Sequence, residues 1–312
     1  LFRSEIKGDN DHTKLIAMLN DLNDYSVPMS EILGKYFDTE NIAYWMAFQL
    51  LTGNIDTQNR NVYLYSPTNS DTFYLLDWDN DGMLMRKEYE IRQRADGQSW
   101  ENGISNYWGN ILLRRCLQTK SFRTALDKAV NDEYKYMSAG RINSMVRQYR
   151  SIVEPYVQKM PDSMHEPLTS SQYDAVADQL HSEIEQNYQT YQTGFNKPMP
   201  FYIGKPTPAN GKLRLNWDVA YDFNDEDLRY AVTVSKDYAG DDVVFSQRDV
   251  VLPEAVMDMP GEGQYFIKVS VSNASGYTQD AFDHYITDGN KIYGTKCFYV
   301  KADGSIVEDT NE

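Results

Sequence analysis

Residues 53–81 read GNIDTQNRNVYLYSPTNSDTFYLLDWDND. Two short runs rich in β-branched and aromatic residues, Val62–Tyr65 and Thr72–Leu76, flank the turn signal Ser66-Pro67-Thr68-Asn69-Ser70-Asp71. The pair predicts a β-hairpin. Its surroundings are helical in pattern. Upstream, Asp38 precedes Ile42, Trp45, Phe48 and Leu51, an apolar stripe at helical spacing that Gly53 closes. Downstream, stripes run from Ile104 to about Met137, from Ile142 to Val153 with a kink expected at Pro155, and from Tyr173 to Gly194. The acidic segment from Asp77 to about Gly103 has little periodicity and is expected to be a long ordered loop. Residues 11–193 thus read as a mostly helical body interrupted by one hairpin.

The pattern changes after Asn196-Lys197-Pro198-Met199-Pro200, which reads as a short linker. From there the apolar period becomes two, at Leu213–Trp217, Tyr230–Val234 and Tyr265–Val271, with Gly, Pro and Asp at the turns. Such strands predict an antiparallel sandwich. The fold class is therefore α+β and multidomain: residues 1–196 form the helical unit and 201–312 an all-β immunoglobulin-type sandwich. Residues 201 to about 301 resemble a fibronectin type III domain. Trp217 is its expected buried tryptophan, and Gly263-Gln264-Tyr265 opens its expected late strand.

Composition narrows the function classes. The 312 residues carry 30 Lys+Arg against 46 Asp+Glu, a formal charge of −16. That balance opposes nucleic-acid binding, which needs a dense basic surface, and docking on anionic lipid. No apolar run approaches the roughly 20 residues of a membrane span. Cys116 and Cys297 cannot make a disulfide framework. His12, His165, His181 and His284 show no zinc-ligand spacing with them. Nucleophile elbows, phosphate-binding glycine loops and dinucleotide fingerprints are missing. The chain begins Leu1-Phe2 without Met, as a processed or trimmed product does.

There remains a set of oxygen donors gathered by the hairpin. Asp56 and Asn61 precede its first strand, and Asp77-Trp78-Asp79-Asn80-Asp81 comes after its second. In kinase-type phosphoryl transfer a loop Asp takes the acceptor proton, an Asn five residues later holds a metal, and a second Asp holds Mg²⁺ on the phosphates. Asp56 and Asn61 have that offset, and Asp77 stands at the end of the second strand. Oxygen donors of this kind suit a hard cation such as Mg²⁺. The plain alternative is that Asp56 and Asn61 only form turns.

The runs Tyr36–Asp56, Asn61–Tyr65 and Phe73–Asp79, with Asn110–Leu117 and Ser121–Leu126 beyond them, resemble the CotH kinase family, the spore-coat-type atypical protein kinases. The likeness spans about residues 14–160. It implies a kinase-like C-lobe that uses ATP and Mg²⁺ to phosphorylate Ser or Thr of a protein substrate. By this resemblance Asp56 matches the catalytic Asp, Asn61 the loop metal ligand and Asp77 the second metal-binding Asp. Asp79 competes for the last role, because the family commonly carries W-D-x-D. A kinase also needs an N-lobe with a phosphate-binding Lys. Only Leu1 to Asn10 precede the first helical pattern, so the chain as it stands is expected to be catalytically incomplete.

A rival use of the same acids stays open. Asp77, Asp79, Asp81, Gly82 and Glu88 satisfy the calcium-loop pattern D-x-[DN]-x-[DN]-G-x5-E. On that reading the chain is a non-catalytic binding or structural protein with a Ca²⁺-stabilised loop, its sandwich meeting a cell-surface or polysaccharide partner. Trp45, Phe48, Tyr107 and Trp108 read as core, and Tyr188 and Tyr191 as either a sugar platform or packing. Both readings expect a secreted or bacterial cell-surface protein, with a lipid anchor upstream of Leu1 as one route. The oligomeric state is open.

Overall fold

Helix formation around the hairpin obeys local chemistry at each end. A computed structural model describes residues 11–165 and 168–309, so the expectation resting on Leu1–Asn10 lies outside the described residues. Eight helices are present among the described residues: α1 (Thr13–Asn23), α2 (Met29–Tyr36), α3 (Thr39–Thr52), α4 (Arg86–Ile91), α5 (Ile111–Gln118), α6 (Lys120–Tyr136), α7 (Ala139–Val157) and α8 (Ser170–Gly194). The Asp38 carboxylate caps α3 by accepting from the Asn41 N–H at 2.9 Å, and Gly53 ends it in the left-handed region at φ 62°. Thr169 and Gln172 form a capping box on α8. Helix α3 is apolar nearly all round and is buried between α6, α8 and the hairpin.

The hairpin pairs β1 (Tyr63–Tyr65) with β2 (Tyr74–Leu76) in antiparallel register, Leu64 opposite Leu75. Those two leucines turn toward the helical core, while Tyr63, Tyr65 and Leu76 stay exposed. The Asn41 side chain clamps Leu75 from α3, accepting from its N–H at 2.7 Å and donating to its carbonyl at 3.1 Å. Lys14 holds the turn through the carbonyls of Pro67 and Ser70.

The expected loop after Asp77 contains more structure than its sequence period suggests. Helix α4 forms there because Glu183 of α8 accepts from the N–H groups of Arg86 and Lys87, at 3.2 and 2.8 Å. A cap supplied from 97 residues away leaves no local signal.

Beyond Met199 come β3 (Thr207–Ala209), β4 (Lys212–Asn216), β5 (Leu228–Ser235), β6 (Val243–Val250), β7 (Glu254–Asp258), β8 (Gly263–Asn273), β9 (Thr278–Asp280), β10 (His284–Thr287), β11 (Asn290–Tyr293), β12 (Thr295–Val300) and β13 (Ile306–Glu308). A three-stranded sheet in the order β3-β4-β7 faces a six-stranded one in the order β13-β12-β8-β5-β6, with β9 added to β8. The strand pairs of both sheets are antiparallel. Leu213, Leu215, Trp217, Val232, Val234, Ile267 and Val269 fill the space between the sheets. The fold class is thus α+β, helices first and sandwich second.

The helical core continues into the second half and joins the two. Trp100 sits edge-on to Phe282 at 5.3 Å and to Tyr293 at 5.9 Å, and Trp108 packs on Tyr221 and Phe223. Buried Glu101 is satisfied by Lys291 at 2.6 Å and by the Tyr293 hydroxyl at 2.7 Å. The Pro198–Pro200 stretch, which reads as linker, is itself buried. Tyr191 is buried and donates to Asp127, and Tyr188 stacks on Tyr134 at 3.9 Å, so these rings pack internally.

Candidate functional site

The left-handed Gly53 turns the chain out of α3 into the loop that carries Asp56. Side chains from far downstream anchor this loop. The Tyr107 hydroxyl donates to the Asn54 carbonyl at 2.9 Å, and Thr57 contacts the same hydroxyl at 3.2 Å. The Asn106 amide reaches the carbonyls of Asn54 and Ile55. Asn54 in turn accepts from the Asp56 N–H at 3.2 Å. Asp56 is therefore seated on a loop whose backbone polar groups are paired with buried residues.

The hairpin brings the second acidic segment back onto this loop. Asn80 accepts from Gln49 at 3.3 Å and from Asn54 at 3.2 Å, so three amides link α3, the Asp56 loop and the segment after β2. The approach is closest at Gly82, where a Cβ would lie 3.0 Å from Asn54 Oδ1 and 3.1 Å from Asp56 Oδ2. Only glycine fits there without displacing the carboxylate. The calcium-loop pattern assigns Gly82 to a sharp turn around an ion, but here it makes room for Asp56. Leu84 then ties the segment to α3 through the Thr52 carbonyl at 2.8 Å.

Backbone strain falls on two of the donors named from sequence. Asn61 has φ 52° and Asp79 has φ 53°, both in the left-handed region that side chains other than glycine visit rarely. Asp79 opens a short 3₁₀ turn over Asn80–Gly82. Exposed Trp78 beside it lies 5.0 Å from the Tyr63 ring, ring centre to ring centre. Asp77 shares the Gln49 amide with Asn80. Its carboxylate accepts from the Gln49 amide at 2.9 Å and lines a pocket with Glu133 of α6. Burial raises the Asp77 pKa against the lowering effect of that hydrogen bond. Burial, with the Asp77 charge adding to it, pushes Glu133 up to about 8.

The calcium quartet is divided. Glu88 lies on α4 and pairs with Arg92 at 2.7 Å. Among the described residues no three His, Cys, Asp or Glu side chains are grouped to hold a metal ion. Calcium takes six to eight oxygens and needs such a cage, whereas Mg²⁺ takes one or two carboxylates with waters and phosphates. The oxygen donors that the structure does bring together, Asp56 and the Asn54 side-chain oxygen beside it, are of the kind the second habit takes. Asn54, Asn80, Gln49 and Tyr107 are the supporting residues that spacing missed. Asn54 and Asn80 stand in the quoted stretch, but nothing local distinguishes them from turn formers.

A family model described as CotH kinase protein matches residues 2–191. No curated protein and no solved structure matches the chain. Among the described residues no helix is long and apolar enough to cross a membrane.

Proposed function

This chain belongs to the CotH kinase protein family, and on that premise we propose that its helical half carries the acceptor-activating and metal-holding groups of a protein Ser/Thr phosphotransferase. The observation that carries the reading is the contact at Gly82. The segment after the hairpin returns onto Asp56 so closely that no Cβ separates them. Asp56 is the general base: it accepts the proton of a Ser or Thr hydroxyl as that oxygen attacks the γ-phosphorus of ATP. The bond from that phosphorus to the β–γ bridging oxygen breaks, and ADP leaves with the bond electrons. Asp79 and Asn61, held left-handed at the two ends of the hairpin, are the groups to hold Mg²⁺. Asp77 takes the supporting position through Gln49. When bound, the ion neutralises charge on the transferring phosphoryl group.

The sandwich, read as fibronectin type III-like with the β10–β11 hairpin added, serves as a spacer or adhesion module at a cell surface. Its fusion to the helical half through the Trp100 and Trp108 contacts supports a fixed rather than a swinging arrangement. A secreted or surface location is the reading that goes with the spore-coat family.

The test uses the intact polypeptide that contains this chain, with Mg²⁺ and γ-labelled ATP. Label is expected in a protein acceptor and lost in Asp56→Ala and Asp79→Ala. Transfer that survives both substitutions overturns the assignment. For the calcium reading, Ca²⁺ would raise the melting temperature more than Mg²⁺, and Glu88→Gln would remove the difference.

A further inference from the structure

Helix α7 is covered on one side only. Of the helices longer than six residues among the described residues, it alone has no buried residue. Its inner side, half-buried at Ile142, Val146, Arg150 and Val157, leans on α8, where Arg150 pairs with Asp174 and lies over the Tyr173 ring. Beside that contact runs an apolar stripe of Met145, Tyr149, Ile152, Val153, Tyr156 and Met160, the last just past the helix end, each at least 40% exposed. Single apolar residues on a surface are ordinary, but a contiguous stripe along one helix marks an interface. The steps between the six are four, three, one, three and four residues, which keeps them within about 100° of helix face. That series reads the same from either end.

We propose that the stripe is covered by a second copy of this chain, α7 lying antiparallel to its own counterpart across a two-fold axis between Ile152 and Val153. The symmetry of the stripe selects this occupant. Reversed about that point, Met145 falls opposite Met160, Tyr149 opposite Tyr156, and Ile152 opposite Val153. A two-fold interface requires one patch to complement itself, and here like residues meet like along its whole length. No charge stands within the stripe to repel its copy. The same axis brings Arg141 of one copy to the end of the other that carries Asp162, both exposed, so opposite charges meet at each end. The area agrees. The six residues expose on the order of 700 Å² per copy, about 1,400 Å² for the pair, within the roughly 1,200–2,000 Å² of stable interfaces. Tyr and Met are also the residue types enriched where such interfaces are most buried. The pairing is separate from the proposed transfer chemistry and does not depend on it.

The experiment follows the intact polypeptide that contains this chain by sedimentation velocity over a concentration series, and a dimer is expected. Tyr149→Glu is expected to weaken association at least about tenfold, since it sets a carboxylate against Tyr156 of the second copy. Tyr156→Ser stands in if that variant does not fold. Val219→Glu, at an exposed position on the sandwich, should leave the dimer unchanged. A short bis-maleimide crosslinker tests the register, because Cys116 and Cys297 are buried and stay silent. Ile152→Cys, next to the axis, is expected to join two copies. Met145→Cys is not, because the antiparallel pairing holds its two copies about 22 Å apart along the helices. A monomer throughout the series, association unmoved by Tyr149→Glu or its stand-in, or any other crosslinking pattern overturns the proposal, the first leaving the face to a different partner.

Discussion

The two halves of the molecule place their strained backbone differently. In the sandwich, left-handed Asn210 and Asp288 each precede a glycine in a two-residue hairpin loop, where both central residues need positive φ. Asp249 lies where β6 slips register against β5, a bulge. Turn geometry accounts for these residues. In the helical half, Asn61, Asp79 and Leu84 are left-handed around the β1–β2 hairpin, yet none belongs to a two-residue hairpin loop. The unpartnered buried atoms divide likewise: Trp217 holds the one in the sandwich, and Trp45, Gln49, Trp100, Asn106 and Glu133 hold the others among the described residues. Unmatched buried atoms are thus more numerous in the helical half, and its left-handed residues lie both around the β1–β2 hairpin and, at Gln93 and Ser99, on the way to the junction where Trp100 packs.

The largest effect that would break this contrast is catalytic. Asp56→Ala and Asp79→Ala are each expected to lower phosphoryl transfer by about 10³-fold, within the range of a lost base or electrostatic group. Their melting temperatures should stay near wild type, as for groups that serve chemistry rather than packing. Next is the junction between the halves. Trp100→Ala should cost about 3–5 kcal/mol in urea unfolding, the usual loss for a buried Trp. Wild type should show one transition by tryptophan fluorescence and circular dichroism; two separate ones would mean the halves are independent.

Gly82→Ala should reduce transfer by less than about 10²-fold, since a Cβ 3.1 Å from Asp56 Oδ2 makes the carboxylate give by only a fraction of the ångström that has that effect. An unchanged rate would show that the Asp56 contact at Gly82 is incidental. A pH series tests the unmet groups. Glu133 binds its proton more tightly folded than unfolded, with a pKa of about 8 against an ordinary 4.5. Stability should therefore be full below about pH 4.5 and fall as pH rises toward 8, and Glu133→Gln should flatten that fall in thermal melts. The smallest effect is the sharpest control. Asn61→Gly and Asn210→Gly should each alter stability by less than about 1 kcal/mol, because glycine accepts the same φ. Only Asn61→Gly should lower transfer.

Much of this architecture is legible one residue at a time. Asp38 and Gly53 mark the ends of α3, the Ser66–Asp71 turn marks the hairpin, and alternation at Leu213–Trp217 marks a strand, because each depends on neighbours within a turn or two. Helix α4 is not legible, since Glu183 caps it from α8. Buried Pro198–Pro200 is not legible either, because Pro and Asn look alike in a linker and in a packed crossing.

The sequence by itself determined that helices surround one hairpin, that a sandwich comes after them, and that Asp56, Asn61, Asp77 and Asp79 are the oxygen donors worth pursuing. The helices, hairpin and strands arise from periodicity and turn residues, which act over a few residues; spacing brings out Asp56, Asn61 and Asp77, and the role of Asp79 comes from the CotH resemblance. Only the tertiary structure decided how those donors divide. Adjacent strand residues point to opposite faces, and the left-handed turn at Asp79 redirects the residues after it, so Asp77 turns to Gln49 and Glu133 while Gly82 closes on Asp56. Which side of a strand is buried, and against what, is set by contacts between distant segments, and no spacing rule carries that information.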